Sequence, residues 1–216
     1  MNSDYSRSKS KLQGIALILG VFTIVYNLLE GIVSTYFGYE DETLALFGFG
    51  FDSFVEVISG IGIVHMIIRM KSRKNSDKDS DKFEITALKI TGTGFYILTI
   101  GLIIGIALNI ITKSVPETTL IGIIVSSVSI VTMYLLMNYK LKIGTALNSD
   151  PIIADANCTK TCFYLSFILL TASVLYEILG IRFIDEIGSL GIAWFAFNEG
   201  KESFEKVRNK SLVYNR

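Results

Sequence analysis

Long apolar runs separated by short polar stretches dominate the chain from one end to the other. A helix that crosses a bilayer needs roughly 17 to 25 mostly apolar residues, and the chain offers six successive runs for that role. They lie at about residues 14–37, 44–70, 85–111, 119–139, 152–179 and 186–198. The pattern therefore predicts an all-α membrane protein with six transmembrane helices.

Polar segments bound this helical region on both sides. We expect a cytoplasmic N-terminal arm at residues 1–13, a six-helix transmembrane domain at 14–206 and a cytoplasmic tail at 207–216. No stretch is left for a second folded unit. The arm is polar and basic, and the apolar run after it is long enough to stay in the membrane rather than be cleaved as a signal peptide.

Basic residues are concentrated in alternate connections. The N-terminal arm, the charged loop 71–82, the polar linker 140–151 and the tail carry most of them, whereas the other three connections offer only Lys113 and Arg182. Because cytoplasmic loops carry an excess of lysine and arginine, we expect both termini in the cytoplasm. The pattern predicts a multi-pass protein of the cell membrane.

Overall charge and small residues add little to this picture. Twenty basic residues balance twenty acidic ones, so the charge gives no indication of a nucleic-acid partner. Gly101 and Gly105 in the third span have the spacing that lets membrane helices approach closely, although glycine is common in membrane helices in any case. A homodimer through the third and sixth spans is compatible with this spacing.

Two carboxylates in the second span are the first candidate for chemistry. Asp52 and Glu56 lie four residues apart, on one face of the helix, and Ser59 extends the same stripe. An ionisable group inside a membrane costs several kcal/mol and by default marks a functional site that faces the helix bundle. Two neighbouring negative charges are harder still to explain as packing.

A second polar stripe lies on the fifth span, where Asp155, Cys158 and Cys162 share one helix face. Two carboxylates and two thiols would supply the four ligands of a tetrahedral metal site, and thiolate favours zinc, cadmium or similar ions over magnesium and calcium. The cysteines could also be small buried apolar residues. A disulfide is disfavoured, because residues four apart on a helix hold their Cβ atoms about 5–6 Å apart, too far for one.

Other polar residues are weaker candidates. Glu30 and Asn27 in the first span could form a second polar site or bond to a neighbouring helix. Asp185 and Glu186, with Arg182, are interpreted as an outer-surface cluster at the start of the sixth span.

These positions resemble the cation diffusion facilitators, a family of proton-coupled exporters of divalent metals. In that family the second span carries an acid or histidine followed four residues later by aspartate, and here Asp52 is followed by Glu56. The fifth span of the family has Ala-Asp, then histidine three residues after the aspartate and a second aspartate four later. Here Asp155 is followed by Cys158 and Cys162. The resemblance extends over about residues 14–206.

Three departures from the family matter. Cysteine replaces both ligands of the fifth span, and the sequence contains no histidine-rich loop. We also expect the family's cytoplasmic C-terminal domain to be missing, since the sequence ends shortly after the sixth helix. A subgroup of short six-span relatives with a cysteine in the fifth span is more similar, and its members are regarded as heavy-metal transporters. The common zinc preference of the family therefore does not transfer directly.

The resemblance implies a transporter rather than an enzyme, with the metal ion as cargo and not as a resident cofactor. Asp52, Glu56, Cys158 and Cys162 would bind the ion after losing their protons, and rocking of helix groups would expose the site to each side in turn. The expected partners are divalent metal ions, protons and the lipid bilayer. The alternative is a membrane metal sensor or interaction subunit that does not transport; a thiol-based redox enzyme is a third, disfavoured possibility.

Overall fold

Six α-helices account for nearly all of the described residues. The computed structural model describes residues 2–41, 43–72, 77–113, 115–181 and 183–214. The helices are α1 (Asn2–Glu40), α2 (Leu44–Ser72), α3 (Asp77–Thr112), α4 (Leu120–Leu147), α5 (Asp150–Leu179) and α6 (Ile184–Tyr214). The all-α prediction is therefore confirmed.

Helix boundaries follow from local backbone chemistry. Pro116 lies between α3 and α4, and Pro151 lies in the first turn of α5, where a missing N–H costs no helical hydrogen bond. Asn148 ends α4 and Gly180 ends α5, both in the left-handed conformation, a common way to stop a helix.

Five of the helices in the described part of the chain, α1 to α5, are long and apolar enough to cross a membrane. α6 is not among them. Asp185 and Glu186 at its start and the charged residues from Glu199 onward leave a short apolar stretch, well below the roughly 20 residues of a typical span. Five predicted spans are thus supported, while the sixth, the position of the termini and the choice of membrane stay predictions.

The helices pack as an antiparallel bundle in which α1 lies against α2, α4 against α5 and α3 against α6. The connections after α1, α3 and α5 meet at one end, here called the odd-loop end. There the Glu117 backbone N–H donates to the Asp41 carbonyl at 3.0 Å, and the Tyr176 hydroxyl donates to the Pro116 carbonyl at 2.6 Å. The alternation of up and down helices that the sequence predicts is therefore present.

Asp185 links two helices at the odd-loop end. Its carboxylate accepts the backbone N–H groups of Leu44 at 2.8 Å and Ala45 at 3.1 Å. The first N–H groups of a helix have no partner within it, so the aspartate of α6 completes the start of α2. The prediction that Asp185 and Glu186 belong to an outer-surface cluster is wrong, because their side chains are only 2% and 4% exposed. Arg182, the third member of that cluster, lies outside the described residues.

An apolar core fills the half of the bundle near the odd-loop end. Its members come from α2, α3, α5 and α6 and include Leu46, Phe49, Phe95, Leu98, Leu102, Leu165, Leu169 and Ile192. Large apolar side chains also cover the outer faces of the helices, among them Ile18, Leu29, Ile100, Val131 and Trp194. An outside as apolar as this suits contact with lipid.

Gly101 and Gly105 of α3 do not both lie in a contact with another helix of the chain. A Cβ at Gly105 would lie 2.8 Å from the Leu44 side chain, whereas a Cβ at Gly101 would meet nothing within 4 Å. Close approach between α1 and α2 instead occurs at Gly50, where an added Cβ would lie 2.6 Å from the Thr35 backbone nitrogen. The predicted homodimer is not tested by these contacts.

Gly50→Ala is expected to lower the thermal stability of the protein in detergent. The methyl group would press on the α1 backbone, and overpacking of this kind costs about 1–3 kcal/mol. Gly101→Ala is the matched control and should leave the unfolding temperature unchanged or raise it slightly. Thermal unfolding followed by circular dichroism measures both; equal shifts for the two variants would contradict the packing argument.

Candidate metal site

Asp52 and Glu56 of α2 meet Cys162 of α5 in the interior of the bundle. One ligand atom from each, two carboxylate oxygens and the Sγ atom, lie within 4.8 Å of one another. This is the one group of three possible metal-binding side chains that the described part of the chain contains. The Cys162 thiol donates a hydrogen bond to Glu56 Oε1, and its sulfur lies 3.9 Å from Asp52 Oδ2.

Helix geometry explains why these residues converge. Asp52 and Glu56 are one turn apart and therefore share the face of α2 that is turned to α5. Asp52 and Cys162 are 2% and 3% exposed. The sequence therefore identified three residues that the structure brings together.

Cys158, the fourth predicted ligand, lies apart from this group. It is partly buried and lines a cavity together with Asp52, Glu56 and Asp155. Cys158 precedes Cys162 by one helical turn on the same face of α5. A small shift of α5 would therefore change the distance between the Cys158 thiol and the carboxylates of Asp52 and Glu56. Both cysteines are free thiols. The side chain of Ser59, which the sequence placed on the same stripe as Asp52, lies outside the described residues.

Asn27 of α1 supports the site without being part of the ligand group. Its side-chain Nδ2 donates to Glu56 Oε2 at 2.8 Å, while its own Oδ1 is buried without a hydrogen-bond partner. The two oxygens of Glu56 are thus held by Cys162 on one side and Asn27 on the other. Such partners orient a ligand and influence its affinity. Of the two predicted roles for Asn27, the bond to a neighbouring helix is the one that the structure shows.

Glu30 lies one turn further along α1 toward the odd-loop end. It is 7% exposed. Its two oxygens accept hydroxyl groups, from Tyr26 at 2.9 Å and from Ser53 at 3.0 Å. Glu30 is therefore a separate buried polar centre and lies outside the three-residue group.

Lys140 is another residue that the sequence placed wrongly. It was expected in a solvated linker, but α4 continues through Leu147 and buries Lys140 to 1% exposure. Its Nζ lies 2.8 Å from Asp155 Oδ2 and donates to Thr159 Oγ1 at 3.0 Å. The signal was present in the spacing, since Met133, Leu136, Lys140 and Ile143 recur every three or four residues on the buried face of α4.

A cavity extends from the site toward the end opposite the odd loops. Asp52 and Glu56 lie at its inner limit, and Thr91 of α3, Asp155 of α5 and Glu199 of α6 are among the residues along its walls. Glu199 accepts the Thr161 hydroxyl at 2.8 Å. In the sequence Glu199 follows directly after the sixth apolar run, 186–198, and such a run gives no sign that a helix continues beyond it with one face still buried.

Five helices that are long and apolar enough to span a membrane define a multi-pass membrane protein, and the helices fit a membrane transporter. The partly acidic cavity lies among α1, α2, α3, α5 and α6. No protein-family model matches the chain. The chain is 28% identical over 175 residues to an uncharacterized transporter of Methanocaldococcus jannaschii. The matched region covers 80% of this chain and 62% of that relative.

Proposed function

We propose that this protein transports a divalent heavy-metal cation across the cell membrane, with Asp52, Glu56 and Cys162 as ligands. The observation that carries the proposal is the convergence of these three ligand atoms within 4.8 Å inside a bundle of apolar helices. Cys158 is the fourth ligand in the proposal, joining when α5 shifts. The similarity of the positions to those of the cation diffusion facilitators supports the same function, and the uncharacterized transporter relative supports a role in transport.

Charge balance favours a cation at this position. Asp52 and Glu56 lie side by side, and the ion pairs among the described side chains do not include either of them. Two adjacent carboxylates in a low-dielectric interior are stable only when protons or a cation neutralise them. A divalent ion matches their combined charge, and the cysteine sulfur favours zinc or cadmium over hard ions such as calcium.

Proton exchange follows from the same groups. The Cys162 thiol donates a hydrogen bond to Glu56, so the two side chains already meet where a metal bound to both would lie. Carboxylates and thiols must give up their protons to bind a metal, so loading of the ion would release protons and return of protons would release the ion. The proposed transport is therefore antiport by alternating access, in the direction of efflux by analogy with the family.

Metal flux into proteoliposomes tests this proposal. With an imposed proton gradient, we expect uptake of zinc or cadmium that empty liposomes do not show, and no uptake of calcium or magnesium. Equilibrium dialysis of the purified protein should give one tightly bound cadmium ion per chain. Binding without flux for any metal would favour the membrane sensor instead, and the absence of both would exclude the metal site.

A further inference from the structure

The ion pair between Lys140 and Asp155 joins α4 to α5 at the wall of the cavity. The lysine is 1% exposed, and Asp155, at 8%, borders the cavity. Lys140 Nζ has two partners, Asp155 Oδ2 at 2.8 Å and Thr159 Oγ1 at 3.0 Å. One of them, the threonine hydroxyl, stays available if the carboxylate turns away.

Asp155 lies on the path to the metal site. It precedes Cys158 by three residues and Cys162 by seven, on the same face of α5, and it shares the cavity with Asp52 and Glu56. A cation that moves along this wall of the cavity toward Cys162 would meet Asp155 first. At that point it competes with an ammonium group that the protein itself supplies.

We propose that Asp155 is an access subsite for the divalent cation and that Lys140 occupies it between arrivals. The inference rests on the proposed function. An arriving divalent ion carries twice the charge of the lysine and takes over the carboxylate, while Lys140 keeps its bond to Thr159. When the ion moves on to Asp52 and Glu56, the lysine returns to Asp155 and leaves a positive charge behind the ion, which disfavours its return to the cavity.

A purely structural ion pair would behave differently. Removal of one partner of a buried pair leaves an uncompensated charge and destabilises the protein, whereas removal of both is often neutral. For a structural pair, the double variant Lys140→Gln/Asp155→Asn would therefore transport like the natural protein. For an access subsite, the double variant would fold equally well but would lack the carboxylate that attracts the ion.

The decisive measurement is the concentration dependence of cadmium flux for the double variant. We expect KM to rise about tenfold, at the low end of what a charge in a cleft contributes to association. Cadmium binding at the Asp52–Glu56–Cys162 site should change less than about threefold, a difference below the 1.4 kcal/mol that corresponds to a tenfold change. Lys142→Gln, at an exposed position on α4, is the matched control and should leave both values unchanged.

Lys140→Gln alone adds a second readout. Without the ammonium group of Lys140, Asp155 should bind cadmium. Dialysis of Lys140→Gln should therefore give a second cadmium ion per chain, and dialysis of Asp155→Asn should not. An unchanged KM in the double variant together with one bound ion in Lys140→Gln would overturn the access subsite. If the natural protein itself bound no cadmium and showed no flux, the proposed transport function would fail. If the natural protein transported cadmium and the variants did so equally well, only the access subsite would fail.

Discussion

Glu56→Gln is expected to abolish proton-driven uptake of zinc and cadmium. Glutamine has nearly the same shape as glutamate but cannot supply a negative charge to a metal ion. Its amide can still bond to Asn27, which donates to Glu56 Oε2 at 2.8 Å, so the helices should stay in place. We expect cadmium affinity to fall by at least about 100-fold, because loss of a ligand exceeds the 10- to 100-fold cost of losing an outer partner.

The matched control for this change is Glu205→Gln. Glu205 lies on the exposed surface of α6, with its carboxylate 4.0 Å from Lys201, and surface pairs of this kind contribute little. Flux in proteoliposomes and cadmium binding by dialysis should both be unchanged in the control. Retention of pH-driven uptake in Glu56→Gln, with the protein folded, would remove Glu56 from the site and with it the proposed coupling.

The two ends of the bundle differ in a way that matters for transport. Apolar side chains such as Leu46, Phe49 and Leu169 fill the half near the odd loops, and Asp185 and Tyr176 tie the connections together there. The cavity extends from the site in the other direction. In the proposed mechanism, alternating access would require the apolar contacts near the odd loops to loosen while the cavity narrows.

Much of this architecture could be predicted from the sequence, because hydrophobic runs and helix periodicity are local properties. Asp52, Glu56 and Cys162 were also recognisable, since acidic residues and a cysteine on single helix faces stand out against apolar surroundings. Their actual convergence depends on how α2 crosses α5, which no local pattern contains. The same limit explains Asp185, whose partners are backbone groups of Leu44 and Ala45 far away in the chain.

Lys140 shows a second kind of limit. A lysine at the polar end of an apolar run normally reaches water, so its type and position both favoured a solvated linker. Only the pairing with Asp155, fifteen positions later in the chain and on another helix, makes its burial possible. The spacing on the buried face of α4 indicated that Lys140 is buried, but its partner could be identified only from which faces of α4 and α5 meet.

The two cysteines are expected to differ in their effect on metal binding. Cys162 lies within the ligand group, whereas Cys158 lies on the cavity wall outside it. Serine keeps the size of cysteine but replaces a soft thiolate with a hard, neutral hydroxyl. Cys162→Ser should therefore weaken cadmium binding about 100-fold and reduce the preference for cadmium over zinc, since each factor of ten corresponds to about 1.4 kcal/mol.

Cys158→Ser should have a smaller effect, about tenfold, because in the proposal this thiol joins the ion only after a shift of α5. Competition dialysis with cadmium and zinc gives both affinities, and ultraviolet absorbance of the cadmium–thiolate bond reports whether one or two sulfurs bind. An equal loss of cadmium affinity in the two variants would mean that all four ligands bind at once. No loss of affinity in Cys162→Ser would mean that the Cys162 thiol only packs against its neighbours and does not bind the ion. The comparison uses the same substitution one helical turn apart, so a difference between the variants reflects the position of the sulfur relative to the carboxylates rather than the loss of a thiol as such.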